Sequence, residues 1–86
     1  MIAEIKLAKY ELFPIDEPTC YMVGFTTTCN GREFFRQTAV QLADVEGKSE
    51  DQIIHLAANE LKHEINEQIS ILSAKSTLIG KTINLL

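Results

Sequence analysis

The dipeptide Asn30-Gly31 constrains this chain more than any other feature. It separates two runs, 20–29 and 32–42, that are rich in Val, Thr, Phe and Tyr. Asn-Gly between such runs favours a two-residue type I′ turn, because both central residues must take positive φ. The turn makes a hairpin and dictates its register. If Cys29 pairs with Arg32, then Phe25 faces Arg36, Val23 faces Thr38 and Tyr21 faces Val40. One face then carries Tyr21, Val23, Phe25, Phe34, Val40 and Leu42, which is apolar enough to be the core side. The other carries Cys20, Met22, Phe35 and Ala39 among Thr and Gln, less polar than a fully solvated face.

The segments on either side complete a small fold. Residues 2–13 alternate with Ile5 and Leu7 on one parity and Tyr10 and Leu12 on the other, so the parity changes near Ala8, as a bulge in a strand would require. The 14–18 segment, with Pro14 and Pro18, is a loop. After Gly47-Lys48, Ser49-Glu50-Asp51-Gln52 has the form of a capping box, with acids at the positive end of the helix dipole. Ile54, Ala58, Leu61, Ile65, Ile69 and Leu72 then recur at helical spacing, and His55, Asn59, Lys62, His63, Asn66 and Glu67 form the polar side. The expectation is an α+β domain over 1–86: a three-stranded antiparallel sheet (2–13, 19–29 and 32–43) in β-β-β-α order, packed on one long helix (49–75). The tail, 76–86, is apolar, and Ile79, Ile83 and Leu85 suit one face of a short final strand.

With 86 residues, only one core fits. The formal charge of −4 lacks the basic footprint that nucleic acid or an anionic membrane surface requires. Charges at Glu4, Lys6 and Lys9 interrupt any signal-peptide core, and no run approaches the length of a membrane span, so a cytoplasmic protein is expected. Cys20 and Cys29 lie nine residues apart on one strand, hence on opposite faces and about 30 Å apart, so an intrachain disulfide is not expected.

Catalytic groups are sparse. His55 and His63 are two helical turns apart and cannot share a metal. Glu60 and His63 match Glu-x-x-His, a spacing used in di-iron bundles, but the motif occurs once and on the polar face. Arg32 and Arg36 flank Phe34, a basic–aromatic interleaving that Glu33 and the net charge oppose. Neither cysteine has a base near it in sequence, and the four glycines are scattered, so no phosphate-cradling loop exists. We expect no catalytic residues, no metal site and no cofactor.

The surplus is apolar. A helix stripe, one full sheet face, part of the other face and the tail exceed what one helix and three strands can bury, and patches of that kind mark protein contacts. The expected self-association residues are Phe35, Met22, Ile69, Leu72, Leu78, Ile79, Ile83 and Leu85, with a second copy of the chain as the leading partner.

From Val23-Gly24-Phe25-Thr26-Thr27-Thr28 through Asn30-Gly31-Arg32-Glu33-Phe34-Phe35, and on through Glu46-Gly47-Lys48-Ser49-Glu50-Asp51-Gln52-Ile53 to Lys62, the chain resembles small proteins encoded in the late, tail-region gene clusters of long-tailed phages of Gram-positive bacteria. The resemblance implies a non-enzymatic, homo-oligomeric, chaperone-like assembly protein with phage tail or other virion proteins as partners, located in the host cytoplasm or with the virion. The alternative is a small acidic host-directed binder that inhibits a host factor, which would need acids clustered on one helix face. Lys62 among Glu60, Glu64 and Glu67 makes that face only moderately acidic. A third reading, a metal-dependent enzyme formed between subunits, would depend on His63.

Overall fold

A computed structural model describes residues 3–78, with side chains through Leu72. Three strands, β1 (Ala3–Phe13), β2 (Cys20–Cys29) and β3 (Arg32–Gln41), are followed by a 3-10 turn (Leu42–Asp44) and one helix, α1 (Glu50–Leu78). The sheet is an antiparallel meander in the order β1-β2-β3, so the fold is the expected α+β arrangement.

Asn30 and Gly31 take φ of 54° and 74°, the positive pair that a type I′ turn demands. The turn sets Cys29 against Arg32, Phe25 against Arg36, Val23 against Thr38 and Tyr21 against Val40. In β1 the register slips between Leu7 and Lys9, leaving Ala8 as the extra residue of a bulge. Beyond that slip the alternation inverts. Ile5 and Leu7 lie opposite Thr27 and Phe25, and Tyr10 and Leu12 lie opposite Val23 and Tyr21. All four therefore share the inner face of the sheet, the side on which α1 packs.

The core joins Val23, Phe25 and Val40 of that face to Val45 and to Ile53, Ala57, Leu61 and Ile65 of the helix. The buried line on α1 thus runs at strict four-residue steps from Ile53. Ile54, Ala58 and Ile69 flank it and are partly buried. The stripe expected from Ile54 is rotated by one residue over its first two turns, because Ile53-Ile54 and Ala57-Ala58 offer two adjacent apolar lines and the connection from β3 selects between them. Each fully buried Leu or Ile here contributes about 1.5–3 kcal/mol.

Two element ends run differently from expectation. β3 ends at Gln41, since the 3-10 turn at Leu42–Asp44 begins where the apolar alternation still continues. The Leu42 amide nitrogen donates to the Thr19 carbonyl oxygen at 3.1 Å, and Val45 folds back beneath the helix as a buried cap. α1 also runs to Leu78, so 76–78 are helical rather than tail. The expected final strand, with Ile79, Ile83 and Leu85, lies outside the described residues.

The helix starts as the capping box requires. Ser49 Oγ accepts from the Gln52 amide at 3.3 Å, and the Ser49 amide donates to Gln52 Oε1 at 2.9 Å. Gly47, at φ 81°, supplies the reversal before it.

Candidate interaction surface

The placement of α1 decides what the sheet leaves bare. A helix with its side chains is about 10–12 Å across and strands lie about 4.8 Å apart, so one helix covers two strands. The short 42–49 connection returns α1 directly over β3 and its neighbour β2. Thr38 of β3 then donates its hydroxyl to Glu60 Oε2 at 2.8 Å and holds the helix on that side.

Among the described residues, β1 is covered only in part: Tyr10 packs against the core, but the aliphatic side chains on either side of it do not. Ile5, Leu7 and Leu12 point to the inner face, yet are 51%, 46% and 43% exposed. The helix side of the gap is apolar through Ala58 and Ile65. These two line a groove of about 290 Å³ together with Ile5, Asn59, Lys62 and Asn66. The outer edge of β1 has no strand partner among the described residues. A strand edge with free backbone groups beside an apolar face is suited to strand addition.

On the opposite, open face β1 carries charges in two intrastrand pairs, Lys6 Nζ to Glu4 Oε1 at 3.4 Å and Lys9 Nζ to Glu11 Oε1 at 3.5 Å. The same face holds exposed Phe35 and half-buried Met22, two of the expected self-association residues. The Phe35 ring lies over Gly24, where a Cβ would come within 2.6 Å of Phe35 Cε1. Of the other expected residues, Ile69 packs against the core and Leu72 is half-buried, its carbonyl oxygen accepting from Asn30 Nδ2 at 3.4 Å. Leu78 is the last residue of α1. Ile5, Leu7 and Leu12 were absent from the expected set, although their apolar character and shared face were visible in the alternation.

The chemistry-bearing residues do not converge. Cys20 and Cys29 stand at opposite ends of β2, both buried, and Cys20 Sγ contacts the Phe13 carbonyl oxygen at 3.4 Å. His63 Nε2 lies 4.0 Å from Glu67 on an exposed helix turn, while Glu60 is engaged by Thr38. Among the described residues, no three His, Cys, Asp or Glu side chains are placed to hold one metal ion, and no helix is long and apolar enough to cross a membrane. Arg36 lies over the Phe34 ring at 5.4 Å and donates through Nη1 to the Phe35 carbonyl oxygen at 2.8 Å, so its guanidinium is committed within its own strand.

Comparison with known proteins finds no matching family model, no matching curated protein and no matching solved structure.

Proposed function

We propose that this chain is a non-enzymatic assembly protein that works through contacts with copies of itself and with other proteins. The observation that carries the reading is the partly covered inner face of β1, where the three large aliphatic side chains of Ile5, Leu7 and Leu12 are about half exposed beside a strand edge that is unpaired among the described residues. In a domain this small, leaving such surface open costs stability that a partner would recover.

The phage-tail setting rests on the resemblance between Val23 and Lys62, and gives the assembly role a place: a chaperone-like accessory in tail morphogenesis. The acidic balance fits protein partners better than nucleic acid or an anionic membrane surface.

Light scattering of the purified chain tests the self-association at the centre of this reading. A mass that is a multiple of 9.7 kDa at micromolar concentration is the expected result, and a monodisperse 9.7 kDa species would overturn it.

A further inference from the structure

We propose that the outer edge of β1 pairs with β1 of a second copy, antiparallel, with Ile5 opposite Leu12 and Lys6 opposite Glu11. This rests on the self-association reading and gives it a site, a register and a geometry: two three-stranded sheets joined into one.

The register follows from the bulge. Before Ala8 the inner face carries Ile5 and Leu7, and after it Tyr10 and Leu12. Pairing must match inner residues with inner residues, because a one-residue slip would put apolar side chains opposite charged ones. Placing Ile5 against Leu12 also sets Leu7 against Tyr10, twice each by symmetry, and builds a continuous apolar strip across the junction. On the open face the same register sets Lys6 against Glu11 and Glu4 against Phe13.

A shift by two residues in one direction opposes Glu4 to Glu11 and Lys6 to Lys9, and in the other it opposes Lys6 to Phe13 and sets Lys9 of the open face against Tyr10 of the inner face. Like charges directly opposite destabilise a strand pair and opposite charges stabilise it. Charge and face matching therefore select the first register. Lys6 and Glu11, the two residues this register pairs, are exposed and point to the open face, so they are available to a second copy.

A bulge and lysines often keep edge strands apart. In this register they do not obstruct, since Lys6 meets Glu11, while the bulge residue Ala8 meets Lys9 of the other strand at the two-fold axis. On the inner side, Leu12 of the second copy lies beside Ile5 at the mouth of the groove formed with Ala58 and Ile65.

Charge exchange tests the pairing. Lys6→Glu and Glu11→Lys are each expected to weaken association by about tenfold or more, as two opposite-charge pairs per dimer become two like-charge pairs. The double variant K6E/E11K restores the pairs with reversed sign, and recovers a mass of twice 9.7 kDa. Circular dichroism of each variant verifies folding, which substitutions at these exposed positions leave intact. If the native chain associates and neither single variant weakens it, the β1 edge is overturned while the self-association reading stands. The same holds if removal of 79–86 dissociates the assembly and the charge variants do not. Weakening in all three variants overturns the register, and a native mass of 9.7 kDa overturns both readings.

Discussion

The aromatic ring of Phe35 occupies the space that a side chain at Gly24 would need: a Cβ there would sit 2.6 Å from Phe35 Cε1 and 3.2 Å from the Cβ of Lys9. Glycine in a strand interior normally costs about 0.5–1 kcal/mol relative to alanine. Here the ring lies across the gap and shields the backbone. Gly24→Ala should therefore destabilise the native chain by about 1 kcal/mol by displacing the ring. In a Phe35→Ala background the same substitution should stabilise. Urea unfolding of the four variants in the cycle measures this change of sign, and additive effects would contradict it.

Thr27 is fully buried on the inner face between Ile5 and Phe34, and its Oγ1 has no hydrogen-bond partner among the described residues. A buried hydroxyl left unpaired costs about 1–3 kcal/mol. Thr27→Val keeps the shape and removes that cost. The expected result is a gain of about 1 kcal/mol, read as a rise in melting temperature of roughly 4–8 °C for a domain of this size.

Ser49→Ala removes the acceptor for the Gln52 amide and breaks the reciprocal cap at the start of α1. A loss of about 1 kcal/mol is expected in chemical denaturation. Ser49→Asp, which retains a cap acceptor and favours the helix dipole, should lose much less.

Tyr10 and Tyr21 stack with centroids 5.1 Å apart and planes 3° from parallel. Partial burial holds the Tyr10 phenol above its ordinary value of 10.0, and repulsion from Tyr21 and Glu50 and the hydrogen bond with Tyr21 act in the same direction. The folded chain thus keeps this proton more tightly than the unfolded chain. Its contribution to stability is complete below the unfolded value and is lost as pH rises through the higher folded value. Stability measured at pH about 9 and about 11 should fall less in Tyr10→Phe than in the native chain. An equal fall in both would contradict the assignment.

What could be read from residues alone follows the range of the interactions involved. Asn30-Gly31 made the hairpin and its register legible because a two-residue turn has few backbone solutions. The parity change at Ala8 and the Ser49–Gln52 box were legible for the same reason, since each is settled within a few residues. The buried line of α1 was not. Ile53 and Ile54 differ by one step around the helix, and only the path of the 42–49 connection decides which turns inward. The bare flank was hidden too, because alternation says which residues of β1 share a face but not how far a helix reaches across the sheet. At the C-terminal end the helix was expected to give way to the tail after 75, yet α1 continues to Leu78.

The meander has a consequence for the order of folding. Each strand pairs with its neighbour in the chain, and the connections closed are only 14–19 and 30–31. Loop closure of that length is quick and costs little entropy, so the sheet can form while the chain is still being made. The helical line from Ile53 to Ile65 emerges only afterwards. Until then Val23, Phe25 and Val40 face water, and the unprotected flank extends across all three strands. Synthesis of α1 closes that window over β2 and β3, while on β1 it leaves Ile5, Leu7 and Leu12 exposed.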